Sequence, residues 1–196
     1  MPAKHSIIAS DILPYDDYAA ARAEWRRRIG AIKQVRRLEV GPFVTFYFEN
    51  WQTMWLQVQE MLHIERGGAA QLADELAAYN PLVPNGRELV ATFMIEIEDA
   101  ERRKRVLGTL GGIEATAYLE LAGETVRGMP ETDQDRTTAE GKASSVQFVH
   151  FAFSRGQIAT FRSPGTRVVL GLDHPAYRHM AVLPETMRAA LAEDFD

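Results

Sequence analysis

The sequence predicts an α+β fold, a mainly antiparallel sheet packed against helices, in a single domain over residues 1–196. Three observations lead there. Helical and strand patterns do not alternate regularly but run helix, strands, two helices, strand, helix, strands, helix, which disfavours a βαβ array. The strands are unequally spaced, with tight turn signals such as Gly41-Pro42 between some of them. No internal repeat and no linker separates a second core.

The elements follow in order. Asp11 to Asp17 reads as a helix start, because either aspartate type can cap free amides. Tyr18, Ala21, Trp25, Ile29 and Ile32 then recur at helical spacing. This helix is basic (Arg22, Arg26, Arg27, Arg28, Lys33, Arg36, Arg37), which suits a solvated face or an anionic partner. Arg37 to Val40 and Phe43 to Phe48 form a strand pair rich in aromatic and β-branched residues. Asn50 can cap a helix from about Trp51 to Arg66, with an apolar face of Trp51, Met54, Trp55, Val58, Met61 and Leu62. Gly67-Gly68 breaks it. A further helix, about Ala69 to Ala78, stops before Tyr79-Asn80-Pro81. Leu89 to Ile97 is a strand, and Asp99 caps a helix from Ala100 to Leu110. Strands follow at Ala115 to Leu121, Ser145 to Phe153 and Thr166 to Leu172. Gly128 to Ser144 is nearly free of apolar residues and reads as an exposed loop. Pro184 to Phe195 reads as a closing helix, with proline in its first turn.

Composition removes several function classes. Hydrophobic residues make up 46% and charged residues 25%, as in ordinary globular domains. A net charge of -5 argues against general nucleic-acid binding. With no cysteine, this chain supplies no disulfide, zinc-thiolate or iron–sulfur ligand. That is compatible with a cytoplasmic location. Met1 to Ser10 lacks the apolar core of a signal peptide, and no apolar run is long enough to span a membrane. Gly-x-Gly-x-x-Gly, P-loop, His-Glu-x-x-His and Gly-x-Ser-x-Gly motifs are all absent.

Three features carry candidate chemistry. The first is Asp173-His174-Pro175-Ala176-Tyr177-Arg178-His179, at the end of the apolar run Val168 to Leu172. Pro175 ends the strand and turns the chain. Strand alternation puts His174 on the inward row of Val168, Leu170 and Leu172. Its imidazole suits acid–base work or a metal, or simply a turn held by backbone hydrogen bonds. The second is the end of the Trp51 to Arg66 helix. Glu60-x-x-His63 has the di-iron carboxylate spacing but lacks the second copy that site needs, and both residues lie off the apolar stripe. Glu65 falls on the apolar side, where a carboxylate needs a partner such as Arg178 or a histidine of the strand exit. Alternatively the helix frays and Glu65 reaches water. The third is His150, which inside so apolar a strand reads first as a satisfied core residue.

These residues also carry a likeness. Arg26-Arg27-Arg28, Gly41-Pro42, Phe48-Glu49, Gln59-Glu60-Met61-Leu62 with Ile64-Glu65-Arg66, Tyr79-Asn80-Pro81-Leu82 with Pro84, and Met94-Ile95-Glu96 contribute to it. So do Gly112-Ile113-Glu114, Ser144-Ser145-Val146 with Phe148, and Asp173 to His179. Over nearly its whole length the chain resembles a bacterial family catalogued as a domain of unknown function, number 3501. The resemblance brings no activity. It implies, by gene association, a role near rubrerythrin-like and iron–sulfur oxidoreductase proteins in peroxide, iron or redox handling. The family has an arginine where this chain has His63, which further discounts a Glu60/His63 metal pair.

The leading expectation is an accessory or ligand-binding protein, without nucleic acid or membrane, in such a redox pathway. Its site comprises Glu65, Arg66, His174, Tyr177, Arg178 and His179. The alternative is a metal-dependent enzyme or metal-binding protein, with a divalent ion held by His174, His179 and Glu65. A third is a structural subunit whose polar cluster only pins the fold.

Overall fold

Alternation along the strands decides the architecture. The computed structural model describes residues 4–131 and 141–196. It contains strands β1 (Arg37–Glu39), β2 (Val44–Glu49), β3 (Glu88–Ile95), β4 (Ala117–Leu121), β5 (Glu124–Pro130), β6 (Val146–Ala152), β7 (Val168–His174) and β8 (Tyr177–Val182). The helices are α1 (Tyr15–Gln34), α2 (Trp51–Glu65), α3 (Gly68–Tyr79), α4 (Ala100–Leu107), α5 (Arg155–Arg162) and α6 (Glu185–Ala192). Every neighbouring pair in the order β1-β2-β3-β6-β5-β4-β7-β8 is antiparallel.

The antiparallel sheet is as expected, but the layered packing is not. The sheet curls until it is nearly a closed barrel, so it is not a sheet packed against helices. One residue in two points inward: Val44, Phe46 and Phe48 on β2, Leu89, Ala91, Phe93 and Ile95 on β3, Val149 and Phe151 on β6, and Val168, Leu170 and Leu172 on β7. These rows face one another across the interior, and that interior is the larger core. Strand twist, accumulated over eight strands, lets a sheet close on its own apolar face. α5 and α6 add Ile158, Phe161, Met187 and Leu191 to this core, joined by Phe195. Phe153, Phe161 and Phe195 meet edge to face at 5.0–5.6 Å.

The two outer strands approach at a seam. The Tyr177 hydroxyl on β8 donates to the Val40 carbonyl, just past β1, at 2.7 Å. Its ring lies 4.6 Å from Phe43. Gly41 sits between them with φ +76, and a Cβ there would fall 2.5 Å from the His179 ring. Only glycine suits both the backbone and the close approach.

Outside the barrel lies a second apolar cluster. α1 and α2 contribute Tyr18, Ile29, Met54, Trp55 and Val58, and α3 packs Leu72 and Leu76 against it. It touches the outer face of the sheet at Val90 and Phe148. α2 starts as expected, with Asn50 accepting from the Thr53 amide at 2.9 Å, and Asp99 likewise caps α4. α1 instead begins after Pro14, with no side-chain cap.

β5, β8 and α5 are additions to the expected elements. Gly128 to Pro130, expected in a loop, are the last residues of β5. Ala143, expected in the same exposed loop, is buried in the core and its amide donates to the Leu107 carbonyl at 3.0 Å, while residues 132–140 lie outside the described residues. Among the described residues, no helix is long and apolar enough to cross a membrane.

Candidate functional site

The residues expected to form one site go to two different places. Pro175 does end a strand, and Pro175-Ala176 becomes the two-residue turn of the β7–β8 hairpin, pairing His174 with Tyr177. His174 points inward as alternation requires and is buried. Its Nε2 lies 3.2 Å from the Gly111 carbonyl, and its Nδ1 accepts from the Ala176 amide at 3.2 Å. Both ring nitrogens are therefore engaged by backbone. Tyr177 closes the seam, with the His179 ring packed on it at 4.4 Å. Arg178 pairs with Asp173 on the exposed surface at 3.0 Å.

Glu65 takes no part in this. It is exposed at the end of α2, where its carboxylate accepts from the Gln71 amide at 3.0 Å. The helix stops at that point because Arg66 turns into the left-handed region, φ 56. The expected union of Glu65 with the strand exit is thus corrected: the apolar phase of α2 ends before Glu65, which reaches water. Among the described residues, no three His, Asp or Glu side chains are placed to hold a metal. His174, His179 and Glu65 are therefore not a ligand set.

Arg66 does face a site, together with His63, whose pairing with Glu60 the sequence discounts, and with Gln59, which is not a candidate there. A cleft of about 440 Å³ opens between α1, α2 and α3, lined by Leu13, Tyr15, Tyr18, Gln59, Leu62, His63, Arg66, Gly68, Ala69 and Leu72. That volume is ordinary for a small-molecule site. Gln59, Leu62 and His63 recur at helical spacing and so share one face of α2, and Arg66 follows as the residue that caps its end. Tyr15 stacks on the His63 ring at 5.0 Å and 13°, and Tyr18 meets it edge-on at 5.8 Å. The Arg66 guanidinium lies over the Tyr15 ring and donates to its hydroxyl at 2.5 Å.

Two nitrogens in this wall are unanswered. Gln59 is 2% exposed, yet its Nε2 has no hydrogen-bond partner. The Nδ1 of His63 is buried and equally unpaired. A buried polar group without a partner costs about 1–3 kcal/mol, so native chains seldom keep one without a use.

Behind Tyr18 the cleft is braced. Glu60 accepts from the Tyr18 hydroxyl and takes Arg22 in a two-point grip, 2.8 Å from Nε and 2.7 Å from Nη2. Hydrogen bonding to Arg22, against the opposing cost of burial, holds the Glu60 carboxyl down at about 2. Burial, and then Glu60 itself, push the Tyr18 hydroxyl up, so it stays protonated. The Glu60/His63 spacing is therefore split between two jobs. Glu60 fixes α1 to α2, and His63 lines the cleft.

Two other polar groups are structural. Arg36, expected on a solvated face, is buried. It donates to the Phe48 and Glu49 carbonyls at 2.9 and 3.0 Å and pairs with Asp194. His150 points to the outer face of β6, one residue out of phase with the core row. Glu88 lies 3.1 Å from its Nδ1 and Glu131 3.6 Å from its Nε2. The Glu88 hydrogen bond raises its pKa against the effect of burial.

The model of a family described as a protein of unknown function (DUF3501) matches residues 6–195. A crystal structure of a novel protein of unknown function from Burkholderia pseudomallei K96243 is 32% identical. It aligns over 97% of this chain and 100% of that one, with a TM-score of 0.90. No curated protein matches the chain significantly.

Proposed function

The chain belongs to the DUF3501 family, and since that membership brings no activity with it, we propose from the cleft itself that this protein binds a small, largely apolar molecule between α1, α2 and α3. The observation that carries the reading is the cleft itself, about 440 Å³ and bedded by Leu13, Leu62, Leu72 and the Tyr15/His63 ring pair, with the Arg66 guanidinium over the Tyr15 ring at its edge. An apolar cleft with a few convergent polar groups is the usual form of a small-molecule site. Of the roles expected from sequence, ligand binding is the one this cleft supports. A metal-dependent enzyme built on His174, His179 and Glu65 is not supported, because those residues are not together. An accessory role beside rubrerythrin-like or iron–sulfur proteins rests on the resemblance alone.

The test is titration with 2-decanone, an apolar chain ending in a carbonyl, followed by calorimetry and by shifts of the Gln59 side-chain amide resonances. Saturable binding is expected in the native protein and lost in Ala69→Trp, which fills the cleft from α3. Absence of saturable binding, or equal binding by the Ala69→Trp protein, overturns the reading.

A further inference from the structure

A second opening lies at the other end of the α1–α2 pair. All three tryptophans of the chain line it, Trp25 from α1 and Trp51 and Trp55 from α2. Its volume is about 390 Å³, and Leu13 is the one lining residue it shares with the first cleft. Trp51 and Trp55 lie four residues apart on α2, and Trp25, Arg28 and Ile29 fall three and four apart on α1, so each helix turns one face to the opening. Trp55 is buried and touches both other indoles, with ring centroids 4.8 Å from Trp25 and 6.2 Å from Trp51. Its ring nitrogen donates to the Asp11 carbonyl, and that of Trp51 to the Ser6 carbonyl, both at 2.9 Å. Those two rings are therefore fixed by the backbone. Trp25 and Trp51 pack against the outer apolar cluster, yet both are only half-buried.

Two cations border the rings. The Lys4 ammonium lies 4.5 Å over Trp51, but Asp11 answers its charge at 2.6 Å. The Arg28 guanidinium lies 5.4 Å over Trp25 and is exposed. Among the described residues it makes no ion pair and no hydrogen bond. Asp11 is the one acid in the described lining, so two cations against one carboxylate leave a positive charge unanswered. We propose that this cleft binds a planar aromatic anion, its ring against Trp25 and Trp51 and its charge on Arg28. Aromatic pairs gain in edge-to-face as well as offset-stacked geometry, so indoles already packed on Trp55 still offer a partner surface. A saturated ligand forgoes that gain, and a cationic one meets Arg28 with no free acid to receive it. At the exposed rim an anionic group keeps part of its water and gains a charge-assisted, two-point hydrogen bond from the guanidinium fork.

Three probes test the assignment by calorimetry and by shifts of the indole N–H resonances: 2-naphthoate with ring and charge, 2-naphthamide with the ring alone, and decalin-2-carboxylate with the charge on a saturated frame. On the native protein 2-naphthoate is expected to bind at least about tenfold more tightly than either of the others and to shift the Trp25 and Trp51 resonances. Arg28→Gln should erase its advantage over 2-naphthamide while leaving 2-naphthamide unchanged, and Arg28→Lys should keep part of it. Trp25→Leu should erase its advantage over decalin-2-carboxylate, and Trp25→Phe should keep part of that. Ala69→Trp, which fills the first cleft, should change none of this. Failure of 2-naphthoate to saturate the native protein, an advantage over 2-naphthamide that survives Arg28→Gln, or binding lost in Ala69→Trp overturns the proposal.

Discussion

The barrel and the helical layer beside it treat their polar residues in opposite ways. In the barrel, the conspicuous polar side chains are consumed by the fold. His174 is held at both ring nitrogens, the Tyr177 hydroxyl bridges the seam, and Arg36 spends its guanidinium on two carbonyls and a buried aspartate. In the helical layer, Gln59 and His63 keep buried nitrogens free beside an open cleft, and the chain turns through left-handed Arg66 and Gly68 at its edge. Density of polar residues in sequence marked the first region. Unspent hydrogen-bonding capacity, visible only in three dimensions, marks the second.

The largest test of this contrast concerns packing. Phe93 is fully buried in the barrel, and Phe93→Ala should cost about 3–5 kcal/mol in urea unfolding. Leu72 on α3 is only partly buried in the outer cluster, and Leu72→Ala should cost clearly less. Equal losses would mean that the helical layer is as tightly packed as the barrel and that the cleft is no soft region.

The next test is one of sign. Gln59→Leu removes a buried donor that has no partner, so the ligand-free protein should gain about 1–3 kcal/mol. Tyr177→Phe removes a donor that has one, leaving the buried Val40 carbonyl bare, and should lose about 1–3 kcal/mol. Parallel denaturation curves check both. A destabilised Gln59→Leu protein would mean that the amide is already satisfied and would dissolve the distinction.

The smallest effect is a pH dependence on the outside of the barrel. The folded-state pKa of His150 is raised above its ordinary value of 6.5, chiefly by the Glu88 hydrogen bond. A raised folded pKa contributes stability that is fully present below about pH 6.5 and is lost as pH rises through the folded value. The difference in urea midpoint between native and His150→Gln proteins should therefore be greatest at pH 5–6 and shrink at alkaline pH. A gap that widens with pH would contradict the pairing with Glu88.

Much of the local structure was legible. Proline at 175, the inward phase of His174 and the caps at Asn50 and Asp99 follow from short-range rules, and the structure keeps them. Closure of the barrel was not, because it depends on pairings such as Glu88 with Ala152 that no local pattern announces. β5 was missed because Glu124 at its start is exposed, Thr125, Arg127 and Met129 point outward, and Val126 is left as the single large apolar side chain turned in. β8 was hidden by its exposed Arg178, His179 and Met180. At the site, Arg66 was named from sequence, but Gln59 was passed over and His63 was set aside as off the stripe. Nothing in their spacing distinguishes a glutamine that is hydrogen-bonded from one that is not. The nearness of Tyr15 and Tyr18 to His63 was the one available hint, and it needed the α1–α2 packing to become visible.

The seam has a consequence for how the chain reaches this state. Tyr177 and Val40 are 137 residues apart, and Arg36 and Asp194 are 158 apart. Closing loops of that size costs entropy before the contacts repay it, so the barrel is a high-contact-order topology, expected to fold on the order of milliseconds to seconds rather than microseconds. Until the seam forms, β8 is an open edge carrying exposed Met180 and Val182. The interval before closure is therefore when this chain is most open to pairing with another copy of itself.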